Sequence, residues 1–309
     1  MDKEFRKDDN SEEPQKRYVN LLSNAGFKAV FGDRGNDDVV MSILNTLLQV
    51  HRKVTHIQCL PTEYQGPTLA GKEFRYDFMC TGQDGATFIV EVERQDDSHW
   101  FKRCVSYAAR AYDKHNKKGH NYDVQPVYLI GLMGIDVPHP DPELLGDCYI
   151  TEYTFREKNC HDLLDETIFI IFAELTRFQK TLEECESDLD KMCYIIKHGG
   201  GLTDQPSKLR SQKYDRVFEA CEIAAFSKEK RTQYENDMME ERELNSKLET
   251  AEAKGEARGE ARGEAKGEAK GISKAKLTIQ MLKDGIAIDQ ICKDTGLTEG
   301  QVAELQTLL

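Results

Sequence analysis

A tight turn between two β-rich segments constrains this chain more than any other feature. The segments Phe74 to Cys80 and Thr87 to Glu93 are rich in aromatic and β-branched residues, and Gln83-Asp84-Gly85 lies between them. Glycine and aspartate in such a position are typical of a hairpin turn. We therefore predict a β-hairpin. If the turn is centred on its aspartate, Asp77 and Glu91 lie opposite each other, because both are equally far from the centre.

The second strand of this hairpin carries an acidic row. Alternate residues of a strand share a face, so its residues separate into two sets. One set is Phe88, Val90 and Val92, and the other is Ile89, Glu91, Glu93 and Gln95. Two carboxylates directly across a hairpin are about 5 Å apart at Cβ and repel unless a cation lies between them. A magnesium ion would remove this repulsion. A solvent-exposed face, on which the acids only keep the hairpin soluble, accounts for the pattern equally well.

The surrounding pattern predicts an α/β core, with a mixed sheet flanked by helices. An apolar stripe at helical spacing, from Val39 to Leu48, follows a cap at Asn36-Asp37-Asp38. A second, amphipathic helix is expected after the hairpin, from His99 to Lys117. The further β-rich segments are Val54 to Cys59, Val124 to Leu132, Tyr149 to Phe155 and Ile168 to Phe172.

The sequence predicts five segments. Residues 1–17 are a solvated tail without the apolar core of a secretory signal, and residues 18–175 form the α/β core. Residues 176–250 form a helical extension, and residues 251–272 a low-complexity helical linker with glutamate and lysine or arginine spaced for ion pairs. Glycine at every fourth linker position costs about 1 kcal/mol each against alanine, so we expect a semi-flexible helix. Together these segments predict an all-α C-terminal extension.

Residues 273–309 read as a small module that resembles a helix-turn-helix, with a turn and cap at Thr295-Gly296-Leu297-Thr298. Its last helix contains no lysine or arginine, which a DNA recognition helix usually needs. A helical bundle for docking or self-association, for example as a homodimer, is therefore favoured over DNA reading.

Overall charge does not decide the function of this chain. The net charge is −13, which by itself argues against nucleic acid, yet His99 to His120 carries six lysine and arginine residues against one acid. The nine cysteines form no CxxC pair, so we expect reduced thiols and a cytoplasmic protein. No stretch is apolar enough to predict a membrane span.

Several motifs, taken in order, resemble the PD-(D/E)XK nuclease family transposases, also called recombination-promoting nucleases. The resemblance covers nearly the whole chain after residue 20. The motifs are Phe27-Lys28, Phe31-Gly32, Asn36, Ile43-Leu44-Asn45, Asp77, Val90-Glu91-Val92-Glu93, Arg103, Tyr107, Pro126-Val127-Tyr128, Phe218 to Ala224 and the AKGEARGE linker.

The resemblance implies a restriction-endonuclease-like core that cuts DNA with Mg²⁺, or alternatively Mn²⁺. It makes Asp77 and Glu91 the acidic metal ligands, with the backbone carbonyl of Val92 as a third. The chain departs from the family at Glu93, where a lysine or glutamine is usual, and at Asn24, where an acid is common. The resemblance leaves a helix cation, Lys102 or Arg103, to supply the missing positive charge.

Three hypotheses follow for the function. The first is a metal-dependent DNA endonuclease linked to recombination or mobile elements, in which Asp77, Glu91, Glu93 and Arg103 form the catalytic site. Its DNA backbone contacts are predicted to be Lys102, Arg110, Lys114, Lys117 and Lys118. The second is a degenerate nuclease fold that binds DNA or protein without cutting. The third is an interaction scaffold whose helical C-terminal half does the work.

Overall fold

The computed structural model describes residues 16–49, 51–64, 74–94, 99–115, 124–307 and 309. The chain forms two compact units, of which the first ends at Glu241 and the second begins at Arg242. Most of the predicted N-terminal tail lies outside the described residues. Among the residues described, no helix is both long enough and apolar enough to cross a bilayer.

The first unit alternates helices and strands before it becomes helical. Its strands are β1 (Ile57–Cys59), β2 (Glu63–Tyr64), β3 (Phe74–Arg75), β4 (Phe78–Gly82), β5 (Thr87–Glu93), β6 (Val127–Met133), β7 (Ile150–Tyr153) and β8 (Ile168–Glu174). Its α-helices are α1 (Asn24–Phe31), α2 (Asp37–Leu48), α3 (Trp100–His115), α4 (Asp188–His198), α5 (Gln212–Cys221) and the first turns of α6 (Lys228–Lys283). Short 3-10 helices span Arg34–Asn36, Pro142–Leu145, Leu182–Glu184, Gly199–Gly201, Ser207–Leu209 and Ile223–Ala225.

Six strands form one mixed sheet in the order β1-β4-β5-β6-β8-β7, and β2 and β3 pair separately. The β1, β4 and β5 strands are antiparallel, β5, β6 and β8 are parallel, and β7 returns antiparallel to β8. Helices cover both faces of the sheet. The predicted mixed α/β core and its helical extension are therefore confirmed.

Each face of the sheet has its own apolar core, as the alternation along β5 predicts. Phe88, Val90 and Val92 pack into the core shared with α1, α2, α4 and α5. Ile89 packs on the other face, against Trp100 and the small residues of α3. Glu91 and Glu93 share the α3 face with Ile89, so the acidic row lies under a helix rather than in water.

The hairpin turn has the predicted centre. Gly85 takes a positive φ of 80°, which glycine tolerates, and its N–H donates to the Gly82 carbonyl at 3.1 Å. Phe78 pairs with Val90 and Thr81 with Thr87, a register that is symmetric about Asp84. Extending this register by one pair brings Asp77 opposite Glu91.

The first strand of the hairpin is not continuous, contrary to the prediction of one strand from Phe74 to Cys80. It breaks at Tyr76 and Asp77, so that β3 pairs with β2 while β4 pairs with β1 and β5. The break follows from the bonding at Asp77, whose carboxylate takes up a strand N–H that a continuous ladder would use. A short polar residue that competes for backbone hydrogen bonds ends regular structure in this way.

Asn36 precedes α2 as predicted, but its side chain does not cap the helix. It makes no side-chain cap bond and instead donates from Nδ2 to the Val30 carbonyl at 3.1 Å. The reason is local, because Asn36 already belongs to the 3-10 helix Arg34–Asn36, whose own cap is Asp33.

The second unit contains the rest of α6 and the helices α7 (Ile288–Thr295) and α8 (Glu299–Gln306). The glycine-containing repeat is helical throughout, within α6. Met281, Ile291 and Val302 form a small core for the terminal module. Gly296 ends α7 in the left-handed conformation, and Thr298 caps α8 by accepting from the Gln301 N–H, which confirms the predicted turn and cap.

Gly131 lies in the sheet directly between Glu91 and Phe172. A Cβ at this position would meet Phe172 Cδ1 at 2.7 Å and Met133 Sδ at 3.1 Å. Because Phe172 is buried, its ring has little room to move, and we expect Gly131→Ala to lower the free energy of unfolding by about 1–3 kcal/mol. Urea denaturation measures this. Gly201→Ala, which adds its methyl group to open space, is the matched control, and an equal effect of both substitutions would contradict the packing argument.

Candidate active site

The candidate site forms where the strand carrying Asp77 breaks. Asp77 is a half-buried bend residue between β3 and β4, and Glu91 on β5 lies across from it. The backbone N–H of Asp77 donates to Glu91 Oε1 at 3.2 Å, and the N–H of Val92 donates to Asp77 Oδ2 at 2.9 Å. Each carboxylate is therefore held by an N–H group of the opposite strand.

Burial dominates the electrostatics of this carboxylate pair. Glu91 is only 3% exposed, and burial together with the charge of Asp77 raises the pKa of Glu91 well above its ordinary value. Burial also raises the pKa of Asp77, although the Val92 N–H and the charges of Lys28 and Arg103 act in the opposite direction. Among the described residues, the groups around the pair thus compensate the two negative charges only in part.

One oxygen of each carboxylate remains open to a further ligand. Asp77 Oδ2 and Glu91 Oε1 take the two backbone bonds, whereas Asp77 Oδ1 and Glu91 Oε2 accept no hydrogen bond from a described residue. Magnesium often binds one or two carboxylates and completes its shell with water and phosphate oxygens. No cluster of three or more acid, histidine or cysteine ligands exists in the described part of the chain. The donor set that fits is this pair, to which the carbonyl of Val92 would add a third oxygen.

Glu93 lies two residues further along the same face and is paired with a cation from α3. Its Oε2 accepts from Arg103 Nη2 at 2.7 Å, and its Oε1 accepts from the N–H of Arg94 at 3.1 Å. The guanidinium of Arg103 also lies 4.6 Å from the ring centre of Trp100, which is fully buried. Arg103 is thus fixed at the acidic row from two sides.

The structure brings Asp77, Glu91, Glu93 and Arg103 together, and adds residues that the sequence did not single out. Lys28 of α1 is near enough to Asp77 to lower the pKa of its carboxyl. Arg94 follows Glu93 and forms an ion pair with Glu241 of α6 at 3.3 Å. Lys28 stands in a motif of the family resemblance, whereas nothing in the charge-rich sequence of α6 marks Glu241.

The predicted DNA contacts lie partly within the described residues. Lys102 and Lys114 are exposed on α3, and Arg110 is half-buried with an ion pair to Asp113 at 3.3 Å. The other two predicted contacts, Lys117 and Lys118, lie outside the described residues. Trp100 is 1% exposed, so it packs in the core and cannot stack on a base.

Glu174 offers a contrast at the same end of the sheet. It is fully buried at the end of β8, and both of its carboxylate oxygens lie 3.0 Å from His139 Nε2. The hydroxyl of Thr151 donates to it as well, and Arg177 lies at 3.8 Å. This carboxylate is satisfied by its own chain and serves to hold the loop before β7. The Asp77 and Glu91 pair has no comparable set of partners among the described residues.

The carboxylates of Asp77 and Glu91 should destabilise the metal-free protein at neutral pH. Because the pKa of Glu91 is raised in the folded state, the folded protein holds the proton more tightly than the unfolded chain, and its stability falls as the pH rises through the folded pKa. Glu91→Gln keeps the Oε1 acceptor for Asp77 but removes the charge. We expect it to raise the free energy of unfolding at pH 7 in EDTA by on the order of 1 kcal/mol, with the gain vanishing near the ordinary glutamate pKa of about 4.

Urea denaturation at several pH values measures this gain. Glu143→Gln, at an exposed position outside the site, is the control and should leave the stability unchanged at every pH. A Glu91→Gln protein that is less stable than the native chain at pH 7 would show that the carboxylate is stabilised from within the fold.

Comparison with known proteins agrees with this geometry. The family model of the PD-(D/E)XK nuclease family transposases matches residues 22–251, which include α1, the hairpin, α3 and the beginning of the glycine-containing repeat. No curated protein and no solved structure matches the chain significantly. The matched region covers most of the chain and implies the restriction-endonuclease-like fold that the mixed sheet displays. The chain therefore belongs to the PD-(D/E)XK nuclease family transposases.

Proposed function

We propose that this chain is a divalent-metal-dependent DNA endonuclease that hydrolyses phosphodiester bonds in recombination or in mobile elements. The observation that carries the proposal is the pair of half-buried Asp77 and buried Glu91, in which each carboxylate keeps one oxygen without a hydrogen bond from a described residue. A buried, incompletely compensated pair is costly to keep unless it serves a ligand. A family whose members are nucleases supports the choice of reaction.

Asp77, Glu91 and the carbonyl of Val92 would hold Mg²⁺, or alternatively Mn²⁺. When bound, the ion lowers the pKa of a water molecule and withdraws charge from the scissile phosphate. The reaction consumes one water, breaks one phosphorus–oxygen bond and leaves a phosphate monoester and a free hydroxyl. The backbone N–H groups of Asp77 and Val92 orient the two carboxylates, so that their open oxygens are set before a metal or DNA arrives.

Arg103 would supply the positive charge that a lysine carries at the third motif position in other family members. Glu93 occupies that position here, and it holds the guanidinium of Arg103 beside the acidic row. An arginine can stabilise charge that develops on phosphate oxygens through several donors at once. It cannot act as a general base, since it remains protonated.

The exposed Lys102 and Lys114 and the half-buried Arg110 of α3 would hold the DNA backbone next to this site. Lys102, Arg110 and Lys114 recur along one side of the helix, at intervals of eight and four residues. Such cations position phosphates without reading sequence. Self-association through the C-terminal helices would supply a second site for the second strand.

Cleavage of supercoiled plasmid tests the proposed function. We expect the native protein to nick or linearise DNA with Mg²⁺ and not with EDTA. Asp77→Asn and Glu91→Gln should reduce cleavage to background, because each removes a charged metal ligand while leaving its size unchanged. Glu143→Gln is the control variant and should cut like the native chain.

A rival hypothesis has two sequence features in its favour. Glu93 stands where the family usually has lysine or glutamine, and Asn24 stands where it commonly has an acid. The rival hypothesis holds that the fold binds DNA without cutting it. Metal-independent DNA binding by all variants, without cleavage under any divalent metal, would support the rival and overturn the proposed reaction.

The contribution of Arg103 can be measured separately. Arg103→Ala removes the cation and should slow single-turnover cleavage by about 100-fold, a typical loss when one charge-stabilising group is removed. Arg103→Ala also removes the guanidinium partner of Glu93. The charge-swapped variant Glu93→Lys with Arg103→Glu therefore serves as a second test, because it keeps the ion pair and puts lysine at the family position. It should cut faster than Arg103→Ala. Ser106→Ala, one turn along α3, is the control. Native rates in Arg103→Ala would rule out a role for this guanidinium.

A further inference from the structure

The first turns of α6 lie along α1, on the side of the first unit that carries the candidate site. Lys230 forms an ion pair with Asp33, just after α1, at 2.5 Å. Lys28 and Ala29 of α1 and Tyr234 and Asp237 of α6 line one groove between the two helices. Further along α6, Glu241 reaches the beginning of α1. The two helices thus run in opposite directions, and the contact between them extends to the N-terminus of α1.

Glu241 makes two directed contacts with its carboxylate. Its Oε2 accepts from the backbone N–H of Ala25 at 3.3 Å, and its Oε1 lies 3.3 Å from Arg94 Nη1. Its side chain is 12% exposed, whereas that of Arg94 is 47% exposed. The first turn of α1 contains no acidic residue. Glu241 therefore brings the negative charge that complements this helix end, from a distant part of the chain.

Ala25 and Arg94, the two partners of Glu241, both lie on elements that border the Asp77 and Glu91 pair. Arg94 directly follows Glu93, whose carbonyl accepts from the Gly134 N–H at 2.8 Å, so the end of β5 is fixed in the sheet. Ala25 lies one turn before Lys28, whose charge acts on Asp77. The carboxylate of Glu241 consequently joins the two elements that border the Asp77 and Glu91 pair.

We propose that Glu241 is a positioning residue of the nuclease site, an inference that rests on the proposed function and extends it to the helical region after the core. It neutralises Arg94 and the N-terminus of α1, whose positive charges would otherwise oppose a divalent cation at Asp77 and Glu91. It also fixes α1, and with it Lys28, at the edge of the site. The helical extension is in this way part of the metal-binding machinery.

This role has an electrostatic signature that a simple contact between helices lacks. Removing the charge of Glu241 should weaken metal binding, because Arg94 is left uncompensated near the site. Removing the charge of Arg94 should strengthen metal binding. Removing both should return the affinity close to the native value. A contact that only holds α6 in place predicts the same direction of change for either single substitution.

The experiment uses the full chain and two readouts. Calorimetric titration with Mn²⁺, in the absence of DNA, gives metal affinity for the native protein, Glu241→Gln, Arg94→Gln and the double variant. Single-turnover plasmid cleavage at increasing Mg²⁺ gives the metal requirement and the maximal rate. Glu240→Gln, at the exposed neighbouring position on α6, is the matched control. Asp77→Asn lacks a proposed metal ligand and therefore shows how much Mn²⁺ binding does not depend on the site.

We expect Glu241→Gln to weaken Mn²⁺ binding about 10-fold and to shift the Mg²⁺ requirement upward by a similar factor, as is usual when a group that supports metal ligands is removed. The double variant should recover most of the affinity.

Equal behaviour of Glu241→Gln and Glu240→Gln overturns the inference while leaving the proposed function intact. Faster cleavage by Glu241→Gln also overturns it, since the carboxylate would then mask Arg94 from DNA phosphate. A native chain that neither binds Mn²⁺ through Asp77 nor cleaves DNA removes the proposed function, and the inference falls with it.

Discussion

Two carboxylates that share one break in a strand determine the form of this site. Asp77 accepts from the Val92 N–H where the ladder between β4 and β5 ends at Phe78, and Glu91 accepts from the N–H of Asp77 itself. The same bend lets β3 leave the main sheet and pair with β2. At this point two backbone N–H groups donate to side-chain carboxylates instead of to backbone carbonyls of a neighbouring strand. The resulting pair of buried charges is stabilised through backbone donors, yet its open oxygens and raised pKa values leave it suited to a cation.

The sheet around the pair explains why its other neighbours are also charged. The parallel strands β5, β6 and β8 align their ends, so Glu93, Met133 and Glu174 form one row on the face that α3 covers. The apolar part of that face fixes α3 through Trp100 and so delivers Arg103 to Glu93. Glu174 shows what a carboxylate in this row needs when it has only a structural role, namely a histidine, a hydroxyl and an arginine around it. The contrast with Asp77 and Glu91 is the physical reason to regard that pair as a ligand site.

Much of this architecture follows from local pattern. Alternation along β5 predicts which residues enter each core, and the turn at Asp84 fixes the register that sets Asp77 against Glu91. The break at Asp77 could not be predicted, because strand propensity runs unbroken from Phe74 to Cys80 and the competing bond comes from the partner strand. The side chain of Asn36 likewise follows a tertiary bond to Val30 rather than its capping propensity. Contacts between distant segments, such as Glu93 with Arg103, depend on how α3 crosses the sheet, which no periodicity encodes.

The charges around Asp77 and Glu91 include one that comes from α6, the carboxylate of Glu241. Asp77, Glu91 and Glu93 carry the negative charges of the site, and Lys28 and Arg103 act on them. Arg94 follows Glu93 in the chain, and its guanidinium pairs with Glu241. With these six groups ionised, their formal charges sum to zero. Glu241 changes that formal balance to a net negative one and pairs with the exposed Arg94. Because Glu241 comes from α6, this local charge depends on the packing of α6 against α1.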